Sequence, residues 1–202
     1  MHSDKQLLDI FIEMQKEIKP TLSIEVGAFD ADYSKAMSKL GMECYAFEAS
    51  PFVYEKFKDK MEGISYINKA VSDKDGVIQF ELMPDHNPAN RGNNSIKSRK
   101  ENLKYKYIDV DSITLNSYFA DRINEKISLW IDCEGANKEV LLGATDILPS
   151  VTSILIETED VEFWKDQWLH EDVVRFLSTY GFEVVEERYA YVNQKNAIFK
   201  KI

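Results

Sequence analysis

Cysteine, histidine and glycine are scarce in this chain. Two Cys in 202 residues cannot build a disulfide scaffold, so reduced thiols in a cytoplasmic protein are expected. The three His (His2, His86 and His170) lie far in sequence from either thiol, which argues against a Cys–His nucleophile. No apolar run approaches the roughly 20 residues of a membrane span. Met1 to Asp9 lacks the basic-then-apolar order of a secretory signal. Basic residues are outnumbered 25 to 35, a net charge of −10, and that field opposes nucleic acid and anionic membrane as partners. The dinucleotide fingerprint G-x-G-x-x-G is absent, which weighs against NAD.

What is present is an ordinary globular composition, 44% apolar, of a length that suits one domain over residues 1–202. Leu7, Leu8, Phe11, Ile12, Met14 and Ile18 recur at helical spacing and predict an N-terminal helix over 4–19, ended by Pro20. Strands are expected at 22–26, 43–47, 65–71, 77–82, 127–132 and 151–156. Helices are expected at 33–40, 50–60, 138–148 and 161–180. The tail reads as a hairpin, 182–188 with 197–200, around Asn193-Gln194. This alternation predicts an α/β fold: a mostly parallel sheet, helices on both faces and an antiparallel closing strand. Residues 83–106 have no sustained period and read as a long surface loop. Within it, residues 91–106 hold six Lys/Arg (Arg91, Lys97, Arg99, Lys100, Lys104, Lys106) against Glu101 alone. Such a loop is expected either as a solvated segment or as a lid that reaches a phosphate or sulfate on a substrate.

In such sheets ligands bind beyond the carboxyl ends of the strands, so the residues there carry the functional reading. Glu25-Val26-Gly27-Ala28-Phe29-Asp30 follows the first strand, with small residues that let the backbone approach a ligand. Glu48 follows the second, 21 residues after Gly27, where an acid grips a ribose diol. Asn68-Lys69-Ala70-Val71-Ser72 follows the third and reads by itself as an ordinary strand end, with backbone groups that could meet an adenine edge as the alternative. Asp132-Cys133-Glu134-Gly135 follows the fourth: two acids able to take a proton from a hydroxyl, orient an amine or hold a divalent cation. Cys133 and Cys44 are read as inert packing. Glu157 ends the fifth strand and heads an acidic run, Glu157-Thr158-Glu159-Asp160, that otherwise reads as a solvated helix start. Trp164 and Trp168, four apart, are expected on one helix as core, with the wall of an acceptor pocket as the sharper alternative.

These blocks together resemble the FkbM-type S-adenosylmethionine (SAM)-dependent methyltransferases, a branch of the class I, Rossmann-like enzymes with a seven-stranded sheet. Glu25-Val26-Gly27-Ala28 is similar to the family's SAM loop, and Phe47-Glu48-Ala49-Ser50-Pro51 to its ribose block. Asn68 to Asp73, Asn93-Asn94-Ser95 and Val110 to Leu115 resemble its adenine-side and connecting stretches. The most specific match is Trp130 to Ala136, running on through Glu139-Val140-Leu141-Leu142-Gly143-Ala144. The resemblance implies SAM as cofactor, S-adenosylhomocysteine as product, and methyl transfer to a hydroxyl of a sugar, glycan or other small metabolite. It implies that Glu25, Gly27 and Ala28 hold the methionine part, with Phe29 and Asp30 beside it. Glu48, in a block with Ala49 and Ser50, would take the ribose, and Ala70 and Val71 would frame the adenine. Asp132 and Glu134 would face the methyl group and acceptor, with Glu157 as a further acid. Phe29 and Ala31 stand where the family places Asn and a second Gly, and Asn137 where Glu is frequent, read as a surface change.

Three other readings are weighed against this one. A non-catalytic SAM- or nucleotide-binding module would bind without turnover. A NAD-dependent oxidoreductase lacks its third glycine and an obvious hydride site. A nucleic-acid methyltransferase is helped by the basic loop and opposed by the net charge. A divalent metal could be held if Asp132, Glu134 and Glu157 converge but is not indicated, since no His joins them, and a homodimer through apolar helix faces is an ordinary expectation.

Overall fold

The computed structural model describes residues 2–83, 94–100 and 105–202, with side chains from residue 6 onward. Its elements run α1 His2–Ile18, β1 Leu22–Val26, α2 Asp32–Lys39, β2 Glu43–Phe47, α3 Pro51–Phe57, β3 Ile64–Ile67, β4 Ala70–Val71 and β5 Gly76–Leu82. There follow β6 Lys106–Ile113, α4 Leu115–Tyr118, β7 Ile127–Ile131, α5 Asn137–Leu142, β8 Val151–Glu159, α6 His170–Ser178, β9 Phe182–Tyr191 and β10 Gln194–Lys201. Seven strands form one sheet in the order β3-β2-β1-β7-β8-β10-β9. Only β10 runs against its neighbours. The predicted α/β architecture with its antiparallel closing hairpin is therefore the observed one.

Strand alternation divides the core. Leu22, Ile24 and Val26 of β1 pack with Ile127, Leu129 and Ile131 of β7 against α4, α5 and α6. The opposite face buries Leu155 and Ile198 beneath Leu7 and Phe11 of α1 and Tyr33 and Met37 of α2. Ser128 and Ser153 take strand positions under α1 and α2 and are paired there: Tyr33 Oη lies 2.6 Å from Ser128 Oγ, and Ser153 Oγ donates to Gln15 Oε1 at 2.9 Å.

Four sequence expectations need correction. The single strand expected at 65–71 is two, because Asn68 turns the chain by donating to the carbonyls of Glu48 (2.8 Å) and Ala49 (3.3 Å). β4 leaves the main sheet for a second one, β4-β6-β5, whose central strand β6 was not anticipated. The helix expected at 138–148 stops at Leu142, and only a short 3₁₀ turn, Leu148–Ser150, follows. The helix expected at 161–180 is only α6. Ahead of it Asp166 is left-handed (φ 56) and the Gln167 side chain accepts the amides of Phe163 (2.6 Å) and Trp164 (2.7 Å), so that stretch is a loop.

Of the expected long loop, residues 84–93 and 101–104 lie outside the described residues, Arg91 and Lys104 among them. Residues 94–100 form a strap. Ser95 bridges Glu81 of β5, Arg99 bridges Trp164, and Lys165 N donates to Ser98 O at 2.9 Å.

Candidate active site

The chain runs outward from β1 to β2 and β3, then returns to β7 on the other side of β1. The strand order reverses there, and a crevice opens beyond the carboxyl ends of β1 and β7. A cavity of ≈ 270 Å³ lies in it, close to the lower end of small-molecule sites. It brings together Gly27, Phe29, Glu48, Ala49, Ala70, Val71, Asp132 and Glu134 of the predicted residues. Glu25, Ala28, Asp30, Ser50 and Glu157 do not line it.

Gly27 has a reason that the sequence did not show. It is left-handed (φ +79), and a Cβ there would stand 1.8 Å from the carbonyl oxygen of Asp132. The close approach is between two chain segments at the crevice floor. Glu25 is buried on the α2 side of the sheet and accepts the Ser34 amide at 2.8 Å, and burial pushes its carboxyl up to about 8. It holds the start of α2 rather than facing the cavity. Ala28 is buried with Ala31, Ala46 and Met61. Ser50 caps α3, its Oγ accepting from Val53 N at 3.4 Å.

Glu48 is 7% exposed. Its two carboxylate oxygens accept separate backbone amides, Phe29 N at 2.9 Å and Ser50 N at 2.7 Å. Those bonds lock the plane of the carboxylate and leave each oxygen a further lone pair. Burial pushes Glu48 up to about 7 and the two amides oppose it. Phe29 (φ 46) and Ala31 (φ 56) are left-handed, a conformation that costs non-glycine residues roughly 1–2 kcal/mol. Tyr66 Oη donates to Phe29 O at 2.5 Å and the Phe29 ring packs on Phe57 at 5.3 Å, which holds the strained turn.

Beyond β7 the chain turns sharply at Glu134 (φ 50) and Gly135 (φ 79). A Cβ on Gly135 would meet Trp164 ring carbons at 2.6 Å, so this glycine admits the indole. Ser95 Oγ donates to Glu134 O at 2.6 Å and ties the turn to the strap. A second cavity of ≈ 380 Å³ adjoins, lined by Arg99, Asp132, Glu134, Glu157, Phe163, Trp164, Tyr191 and Gln194. Asp132 and Glu134 line both cavities. Asp132, Glu134 and Glu157 each bring a carboxylate oxygen within 4.8 Å of the other two. Glu157 also accepts from Gln194 Nε2 at 2.7 Å. Burial, then the Asp132 charge, pushes Glu134 up to about 8, against the pull of Arg99. Burial raises the Cys133 thiol, and Cys133 Sγ donates to Asn137 Oδ1 at 3.3 Å, as inert packing requires.

Two local readings change. Asn137 is not a surface residue: it is 1% exposed and donates to Glu157 O at 2.7 Å, fastening α5 to the end of β8. The acidic run is not a solvated helix start, since Glu157 to Glu159 belong to β8 and Glu159 is buried against Gln167 (2.9 Å). Among the basic residues, Lys97 pairs with Glu139 (2.8 Å) and Lys100 with Glu162, while the Arg99 guanidinium stacks 4.7 Å over the Trp164 ring. Phe80 is buried and lines the first cavity. The alternation of Ile78, Phe80 and Leu82 was its only sequence signal.

Glu25, Glu48, Glu134 and Glu159 are all held above the ordinary 4.5, at about 8, 7, 8 and 7, burial being the largest cause in each. A raised acid contributes stability that is complete below its unfolded value and lost as pH rises through its folded one. The thermal midpoint is therefore expected to fall from about pH 5 to about pH 8.5, and Glu134→Gln to flatten that slope. A midpoint that rises over this range would contradict it.

Among the described residues no helix is long and apolar enough to cross a membrane. No curated protein sequence matches the chain. Its fold is similar to the magnesium protoporphyrin IX methyltransferase of Synechocystis PCC 6803, solved with bound SAM (TM-score 0.55, 8% identity, 98% of this chain and 80% of that one). It is similar also to a SAM-dependent methyltransferase of Clostridium acetobutylicum (TM-score 0.52, 8% identity, 98% and 91%). The profile of the methyltransferase FkbM domain matches residues 25–184, which include every strand end described above. The chain belongs to the FkbM methyltransferase domain family and is a SAM-dependent methyltransferase.

Proposed function

We propose that this methyltransferase holds SAM in the first cavity and methylates a hydroxyl of a sugar or similar small polyol held in the second. The observation that carries the reading is that Asp132 and Glu134 line both cavities, so the two meet at a pair of acids. Glu48, with its carboxylate plane set by two amides, takes the ribose diol. Ala70, Val71 and Phe80 frame the adenine. Gly27 and Asp132 face the methionine part, and Glu25 acts from behind by positioning α2. Bound SAM supplies an activated methyl group on a sulfonium. The chain must align the acceptor oxygen, exclude water and accept the hydroxyl proton. Glu134, held at about 8, keeps its own proton near neutral pH, which leaves an Asp132 carboxylate oxygen to receive the one from the acceptor. In the second cavity Arg99 is outnumbered by three acids beside Phe163 and Trp164. That set suits the donor hydroxyls of a neutral polyol better than a phosphate.

Calorimetry on the purified protein tests the cofactor assignment. SAM and S-adenosylhomocysteine are expected to bind at micromolar concentration and NAD not at all. Glu48→Ala is expected to weaken both by about 10²–10⁴-fold, since two charge-assisted hydrogen bonds contribute roughly 1.5–3 kcal/mol each. Unchanged affinity in the variant would remove Glu48 from the site. Binding with no turnover on any acceptor would favour a non-catalytic module.

A further inference from the structure

A third cavity, ≈ 170 Å³, adjoins the second at the acids. It shares Asp132, Glu157 and Tyr191 with the second cavity, and Asp132 borders all three. The rest of its wall is Leu7, Trp130, Leu155, Ala190 and Asn196, so it is mainly apolar away from the shared end. Five elements build it, Asn196 coming from β10. Leu7 descends from α1 and is 1% exposed. Trp130 and Leu155 rise from β7 and β8, with Trp130 braced against Tyr33 at 5.0 Å. Ala190 comes from β9, whose neighbouring Arg188 donates to Gln6 Oε1 of α1 at 2.7 Å and keeps this part of the strand beneath the helix.

The chamber is a cleft open at the Tyr191 end, where that residue is 65% exposed, and closed by buried Leu7 and Leu155 at the other. A dry apolar cavity of about 150 Å³ takes a benzene ring. We infer that this chamber is an apolar subsite of the acceptor site, built for a ring-sized aryl or short alkyl group carried next to the hydroxyl that is methylated. The acceptor class is then amphipathic: a hydroxyl-bearing head among Asp132, Glu134 and Glu157, and an apolar substituent beneath α1. The inference rests on the acceptor reading of the second cavity.

The test titrates benzyl alcohol into the protein, with and without saturating S-adenosylhomocysteine, and follows the Trp130 indole resonance. A saturable shift is expected in the wild type. In Ala190→Phe the apparent affinity is expected to fall at least about tenfold as the ring fills the chamber, with S-adenosylhomocysteine affinity within about twofold. Ala190→Leu serves in the same way where the larger residue fails to fold, as judged by the amide spectrum. A Trp130 signal that does not move at tens of millimolar benzyl alcohol, or that moves equally in the filled variant, overturns the subsite. Failure of the wild type to bind S-adenosylhomocysteine overturns the SAM assignment instead, and the titration without it still decides the chamber.

Discussion

Asp132→Asn is expected to lower turnover by about 10²–10⁴-fold, the usual contribution of a positioned base, while S-adenosylhomocysteine affinity changes by less than about threefold. The substitution keeps the volume and the backbone contacts, including the bond from Asp132 N to Val26 O at 2.9 Å. What it removes is a charge where the cavities join. That charge also acts on its neighbours, since it is among the causes that raise Glu48, Glu134 and Glu159. Without it Glu134 is expected to titrate below about 8. The high-pH limb of the residual activity should move down with it. Turnover by the rate of S-adenosylhomocysteine release and affinity by calorimetry separate the two effects. Unchanged turnover would take Asp132 out of the mechanism.

Gly27→Ala is expected to be the most damaging change at any glycine among the described residues. The new Cβ would lie 1.8 Å from the Asp132 carbonyl oxygen and 2.8 Å from its carbon, both backbone atoms. Neither segment can yield. β1 and β7 are paired in parallel from Leu22↔Ile127 to Val26↔Ile131, and Gly27 N is held by Phe47 O at 3.0 Å. The left-handed backbone (φ +79) adds its own strain. A loss of more than about 4 kcal/mol belongs to this kind of buried overlap. At this chain length that is roughly 8–16 °C in the thermal midpoint. Gly41→Ala is the control: the same backbone sign (φ +85), with nothing within 4 Å of its Cβ. It is expected to cost only about 1–2 kcal/mol. Thermal melts of the two variants side by side decide the point. Equal losses would mean that strain alone, and not the crossing at the crevice floor, requires glycine at 27. Any Gly27→Ala protein that folds is expected to have lost S-adenosylhomocysteine binding, since its two strand ends have been forced apart.

Most of the alternating elements, the parallel order they imply and the acids that end the strands were legible along the chain. Each of these is local. A buried strand needs an apolar run, a helix stop needs Gly or Pro, and Glu48 or Asp132 is placed by counting a few residues past a strand. Convergence was not local: it arises from the packing of segments distant in the chain. Trp164 seemed to belong to a helix because its spacing from Trp168 is helical, but it pairs with Arg99, 65 residues earlier, and packs on Gly135. Asn137 seemed a surface change because a polar residue in a helix usually is, and it is buried because the end of β8 brings it a carbonyl. Glu25 matched a cofactor motif, yet the alternation of β1 turns its side chain to the α2 face, where a helix amide takes it. The raised carboxyls follow from burial, which no window of sequence reports. Where acids stand in a chain is set by neighbours along it. Which of them share a cavity is set by how the sheet twists and crosses, through contacts between residues far apart in the chain.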